Sequence, residues 1–319
     1  MTDTQANEPQ LGLTHHLKRS CGVNDMTIIE DTFAEAFPMR GTRLIITALD
    51  SELAMIAATE FCGNASSVIG CDAEAGIERV IDESETPDGR PGVSVLAFAF
   101  DRKSLEAAVT ARVGQNVLTC PTTACYAGIA SESKDDRIKV GAQLRFFGDG
   151  YQFSKKLDDR RFWRIPVMDG EFVCEDVVGT VKGIGGGNLI LCGTNQATAL
   201  AATRAAVAAI RLVPDVIMPF PGGMVRSGSK VGSKYAALKA STNHKWCPTL
   251  IGQAETSLSD SEGAVYEIVI DGLSESAIAA AMLAGIGAAK LCEGVVRVSA
   301  GNYGGKLGKH HFHLLKLVG

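Results

Sequence analysis

Residues 93–113 read VSVLAFAFDRKSLEAAVTARV. Val93 to Phe100 is an apolar run short enough for a buried strand, and Lys103 to Val113 has the mixed pattern of a helix. Upstream, Arg43 to Leu49 (RLIITAL) is a second apolar, β-rich run. Asp50 or Ser51 then caps a helix to about Phe61, and Ser67 to Cys71 is apolar and extended again. Glu83 to Gly92 is a polar, turn-rich loop. Downstream, Val117 to Cys120 reads as a short strand or turn, and Ile138 to Phe147 alternates like a half-exposed strand. Two strand–helix–strand units in series are the split βαβ, or ferredoxin-like, arrangement. Ahead of them, Ile28 to Phe37 reads as a short helix: Asp31 or Thr32 can cap it, Glu35 stands three residues after Thr32 as in a capping box, and Pro38 follows as a stop.

The second half repeats this order without evident sequence identity. Asn188 to Cys192 is a strand, and Thr194 to Leu212 is an Ala-rich helix ended by Pro214. Tyr266 to Asp271 is a strand, Asp271 or Ser274 opens a helix to about Leu291, and Val295 to Ser299 is the last strand. The expectation is an α+β protein of two ferredoxin-like lobes. Residues 27–170 form the first and residues 171–319 the second, with the boundary near Met168 to Glu171 and a mobile extension over 1–26. Small residues cover most faces of Ala197 to Ala209 and Ala277 to Ala289, which allows close helix approach between lobes or between subunits.

The chain has 319 residues, is 46% hydrophobic and carries a formal net charge of -5, as expected of a soluble two-domain protein. No apolar run approaches the roughly 20 residues of a spanning helix, and Met1 to Met26 has no apolar signal region. Its nine cysteines include no CxxC pair and several lie beside apolar residues, which reads as reduced thiols in a cytoplasmic protein. Cys120 has no histidine near it in sequence to make it a nucleophile. His310, His311 and His313 have no close cysteine or carboxylate partner, so no metal site is expected. Lys182 to Asn188 (KGIGGGN) precedes a strand rather than a helix, so it reads as a turn or a close backbone approach to another chain, not a dinucleotide fingerprint. No Gly-x-Ser-x-Gly elbow occurs.

Charge is unevenly distributed. No Asp or Glu lies between Asp215 and Glu255, an interval that holds Arg226, Lys230, Lys234, Lys239, His244 and Lys245 among glycines and serines. A second acid-free run follows Glu293 and includes Arg297, Lys306, Lys309 and Lys316. Either run alone reads as a solvated loop. Together they read as a wall for an anionic ligand, with backbone N–H groups free to approach its oxygens. Candidate contacts are Ser227, Ser229, Lys230, His244 and Lys245 in the first run, and Asn302, Tyr303, Lys306 and Lys309 in the second. Nucleic acid is not the expected ligand, given the acidic net charge and 6% aromatic content. Among carboxylates, Glu267 stands alone inside the apolar strand AVYEIVIDG, either exposed or half-buried beside a cleft, where desolvation would make it an acid near neutrality. Glu30 and Glu35, flanking Phe33, are similar candidates.

The segments IEDTFAEAFP (29–38), AEAGIE (73–78), TPDGRPG (86–92), GQNVLTCPTTA (114–124), KVGAQLRFFGDGY (139–151), PFPGGMVRSGSKVGSK (219–234), TNHKWCPT (242–249), YEIVIDG (266–272) and SAGNYGGKLGKHHF (299–312) resemble the formylmethanofuran–tetrahydromethanopterin formyltransferase family. The resemblance is colinear from about Ile28 to the C-terminus. It implies two ferredoxin-like lobes, no bound metal or prosthetic group, dimers or tetramers, and two anionic carriers as substrates. In bacterial one-carbon oxidation such a chain is a subunit of a formyltransferase/hydrolase complex, so the alternative to an enzyme is a non-catalytic scaffold subunit. The implied reaction moves a formyl group between the amine nitrogen of a furan carrier and N5 of a pterin. It also implies a Glu at the reaction centre, for which Glu267 is the best match.

Overall fold

The computed structural model describes residues 27–130 and 133–319, so the extension expected over 1–26 lies outside the described residues. The first half runs β1 (Phe33–Thr47), α1 (Ser51–Cys62), β2 (Glu74–Ile81), β3 (Gly92–Ala99), α2 (Arg102–Arg112) and β4 (Ala124–Ala127). An antiparallel meander follows: β5 (Phe153–Leu157), β6 (Arg160–Val167) and β7 (Gly170–Glu175). The second half runs β8 (Val178–Gly193), α3 (Gln196–Ile210), the short strand Val216–Ile217, β9 (Ala264–Gly272), α4 (Glu275–Lys290), β10 (Val295–Ser299) and β11 (His310–His313). The result is an α+β fold on one large mixed sheet, of 14 strands among the described residues.

In the first half the pairings β4–β1, β1–β3 and β3–β2 set the strand order, with α1 and α2 as the crossovers. In the second half β10–β8, β8–β9 and β9–Val216–Ile217 give the same order, crossed by α3 and α4. The two halves join where β1 and β8 pair antiparallel, from Thr42↔Thr180 to Phe37↔Gly185. β3 is buried along its whole length, and apolar but for Ser94, because both its faces are covered. Val93, Val95, Ala97 and Ala99 meet Phe61, Leu105 and Val109 under the helices. Leu96 and Phe98 point the other way, to Met39 and to Ile217 of the second half. The second core is built from Leu189, Leu191, Ile268 and Ile270 under α3 and α4.

The helix starts follow local chemistry. Asp50 accepts from the Leu53 amide at 2.8 Å, Asn195 and Thr198 complete a capping box, and Ser274 caps α4. The small helix faces serve contact inside the second half: a Cβ at Gly285 would lie 2.9 Å from both Ile210 and Leu189.

Four local readings are corrected. Ile28 to Phe37 is not a helix. Ile28–Ile29 pairs with β10, and Phe33 onward is β1, paired with β11 through Phe33–Ala36. Pro38 is tolerated there because it pairs only with Ile184, in the gap between the β11 and β3 registers. Ser67 to Cys71 is a turn closed by the Cys71 amide on the Ser67 carbonyl at 2.7 Å, and the strand begins at Glu74. Ile138 to Phe147 is extended only at Arg137–Ile138. It then turns helical over Gly141–Leu144 and Arg145–Gly148, where Gly141 lies against the Glu175 carbonyl with no room for a side chain. The Lys182 to Asn188 glycines lie inside β8, interrupted by a bulge at Gly186 with φ +90°. They are small because the chain packs closely on itself: a Cβ at Gly183 would sit 2.8 Å from Phe98, and one at Gly187 2.5 Å from Ile278.

Candidate active site

A cleft of about 720 Å³ opens where the two halves meet. β9 supplies one wall by simple alternation. Ile268 and Ile270 point into the second core, while Val265, Glu267 and Val269 line the cleft. Val225 closes the edge of β9 at this point: its amide donates to the Glu267 carbonyl at 2.7 Å, and the Glu267 amide donates back at 2.9 Å. Glu267 is half-buried, and its carboxyl joins no hydrogen bond or ion pair recorded among the described residues. Burial without a compensating partner pushes its pKa up to about 7.

The other two carboxylates weighed for the acid role are occupied. Glu30 binds Arg297 at 2.9 Å. Glu35, 1% exposed, accepts four backbone amides: Tyr303 at 2.6 Å and Gly305 at 2.9 Å on Oε2, Leu307 and Gly308 at 2.6 Å each on Oε1. Burial alone would raise its pKa, but the four amides overcome it and hold the group below the usual carboxylate range. Glu35 is thus an anion that folds the 303–308 loop around itself.

That loop brings Asn302 and Tyr303 to the cleft. The Asn302 amide group is already used, donating to Thr32 Oγ1 and the Phe33 carbonyl at 3.1 Å each, which ties the loop to β1. Burial first, then the charges of Glu267 and Glu35, raise the Tyr303 phenol, so it stays protonated at neutral pH. Ser227, Ser229 and Lys230 line the opposite lip, where Ser229–Val231 pairs with Ala240–Thr242 as a small hairpin. Lys245 also lines the cleft, but Glu255 holds it at 2.6 Å. His244, Lys306 and Lys309 are not on the lining, and both lysines are exposed. Lys306 and Lys309 project outward because Glu35 draws the backbone amides of their loop inward.

Sequence reasoning passed over three lining residues as contacts. Arg226 was visible as part of the basic run and has no ion pair recorded among the described residues. Trp246 stands beneath Arg297, whose guanidinium lies 5.1 Å from the ring. Glu74 reaches the cleft from the first half, and no local pattern marks it out. Elsewhere, burial, with Asp50 as a smaller cause, raises the Cys120 thiol. Of the three terminal histidines, His310 turns toward Glu275 at 3.4 Å, while His311 and His313 both pack on Phe33, with ring centroids 4.9 and 5.2 Å away, and a His311 ring nitrogen lies 3.2 Å from the Gly308 carbonyl. Among the described residues no group of three or more metal-ligating side chains converges, and no helix is long and apolar enough to cross a membrane.

Two family models match the chain. Residues 23–167 match the formylmethanofuran-tetrahydromethanopterin formyltransferase model, and residues 170–317 match the model of that family's proximal lobe. The chain is 56% identical over 293 residues to the formylmethanofuran–tetrahydromethanopterin formyltransferase of Methylococcus capsulatus, covering 91% of this chain and 97% of the relative. It is 51% identical to a subunit of the formyltransferase/hydrolase complex of Methylorubrum extorquens, covering 91% and 95%. Among solved structures, the Methanosarcina barkeri formylmethanofuran:tetrahydromethanopterin formyltransferase superposes with a TM-score of 0.86 at 48% identity, covering 91% of this chain and 98% of that one. The Methylorubrum extorquens formyltransferase/hydrolase complex, crystallised with methylofuran, contains a chain that superposes at 0.87 with 50% identity, covering 91% and 96%.

Proposed function

Because the chain belongs to the formylmethanofuran–tetrahydromethanopterin formyltransferase family, we propose that Glu267 carries the proton of the formyl transfer and that the cleft around it holds both carriers. The chain is a formyltransferase, and the catalytic reading stands over that of a non-catalytic scaffold. The observation that carries the proposal is a desolvated, unpaired carboxyl facing the cleft.

The steps balance without a covalent enzyme intermediate. The pterin N5 attacks the formyl carbon, and its lone pair makes the new C–N bond while the carbonyl oxygen becomes an oxyanion. The protonated Tyr303 hydroxyl is the proposed donor to that oxygen. Neutral Glu267 gives its proton to the furan amine as the old C–N bond breaks, then recovers a proton from N5. Holding two carriers in one cleft supplies further rate through orientation. The proposed chemistry uses no bound prosthetic group.

Ser227, Ser229 and Lys230 are proposed to receive an anionic carrier tail, with Arg226 beside them. Lys230→Ala should raise KM for one carrier roughly fivefold, the effect of about 1 kcal/mol for a half-exposed ion pair, and the increase should shrink as salt is added. Lys306→Ala, outside the cleft, should change KM much less, and equal effects in both variants would count against this placement.

Two supports favour reading the halves as ferredoxin-like lobes divided near Met168 to Glu171: the shared strand order, and a helix crossover after the first and third strand of each. β7 lies beyond that division yet packs Phe172 and Cys174 into the first core. A homo-oligomer, partner subunits like those of the Methylorubrum complex, and a cytoplasmic location complete the proposal. Formyl transfer by the purified chain, assayed with both carriers and then with Glu267→Gln, tests it. Turnover lost in that variant supports the assignment, and turnover retained rejects it.

A further inference from the structure

Asp271 continues the cleft-facing register of β9, four residues beyond Glu267, and is completely buried. Its Oδ1 accepts from the Gly186 amide at 3.0 Å. Among the described residues its Oδ2 has no N–H or O–H donor in reach, and the side chain it faces is the Glu74 carboxyl from the other half. Glu74 Oε1 in turn accepts from the Val68 amide at 3.0 Å. Two carboxylates both accept, so a hydrogen bond between them requires a proton on one.

Among the described residues no cation pairs with either carboxyl to replace that proton. The strands packed around the pair present Met39, Phe98 and Ile217. Glu78, further along β2, is taken up by Arg43 and Ser94. Burial first, and then Glu74, drive the Asp271 carboxyl far above the usual range; burial likewise raises Glu74. Among the described residues no other charged group contributes to either.

We propose that Glu74 and Asp271 hold one proton between them, and that this proton pins two walls of the cleft, the Ser67–Ile69 turn and the Gly185–Gly186 bulge, at the spacing carrier binding needs. Each carboxyl fixes one wall through a backbone amide, and the proton joins the walls across the two halves. Loss of the proton leaves two like charges in an apolar pocket, which separates the walls. The pair acts by position, without touching the reacting atoms, and the inference rests on the cleft being the carrier site.

The test uses the full chain carrying Glu267→Gln, so that neither turnover nor titration of Glu267 enters the readout. Infrared spectroscopy near pH 7 without carrier should show a protonated-carboxyl band that Glu74→Gln and Asp271→Asn each remove. Calorimetric titration with formylmethanofuran should give a Kd that rises roughly tenfold between about pH 7 and about 10. Adding Glu74→Gln, whose amide can donate permanently to Asp271, should flatten that rise. An absent band, or a Kd profile that Glu74→Gln leaves unchanged, overturns the shared proton. If the band is present but carrier binding is absent at every pH, the cleft assignment and the positioning role both fall. A purely structural role would lower thermal stability without altering the pH dependence of binding.

Discussion

Glu267→Gln should lower kcat for formyl transfer by about a thousandfold, the middle of the range for removing a general acid–base group. The substitution keeps the shape of the side chain and the backbone bridge to Val225, and the carboxyl has no recorded partner to lose. Folding should therefore be intact and thermal stability near or above that of the parent, since a desolvated carboxylate is replaced by a neutral amide. The sign follows from the raised pKa. A carboxyl that folds at about 7 against an ordinary value of 4.5 favours the folded state most at low pH. That contribution declines as pH rises between these two values and stays lost above about 7. The stability advantage of Glu267→Gln should thus be larger at pH 8 than at pH 5, and an advantage independent of pH would contradict the burial of this carboxyl.

Glu35→Gln should cost stability first, and chemistry only through the loop that Glu35 holds. A carboxylate offers both oxygens as acceptors, and here each receives two amides. A carboxamide keeps one acceptor and turns an N–H donor toward the other two amides. Losing two charge-assisted bonds costs about 3–6 kcal/mol, which urea unfolding would measure. The loop released carries Tyr303, so KM and kcat should both suffer. Because the folded pKa lies below the ordinary value, Glu35 stabilises the fold at pH above that value, and this is lost as pH falls through the depressed one. Glu35→Gln should accordingly narrow its deficit against the parent in acid. Equal stability of the two at neutral pH would remove Glu35 from this role.

Legibility in the sequence followed the range of the interaction. Caps at Asp50 and Ser274, and the apolar strands within β3, β9 and β10, depend on neighbours a few residues away and could be read directly. Thr32 and Glu35 mimic a capping box, but the segment is held extended by β11 and β8, far away in sequence. The same distance hid the task of Glu35, whose partners lie about 270 positions on. The glycines of β8 looked like a turn because Phe98 and Ile278, which demand their smallness, come from other elements. Glu267 could be singled out because one carboxylate interrupts an apolar strand. The side it faces required the register with Ile190 and the Val225 bridge. Lys306 and Lys309 counted as basic-run residues by composition, which carries no direction.

The most direct measurement is kcat against pH in both directions of formyl transfer, for the parent and for Glu267→Gln. Glu267 protonates the departing nitrogen and takes a proton back from the attacking one, so it starts and ends each turnover neutral, whichever way the formyl group moves. In the parent, both rates should therefore fall above an inflection near 7, and both inflections should vanish in the variant. Inflections that survive the substitution, or profiles that bend opposite ways in the two directions, would contradict a single proton carrier at Glu267.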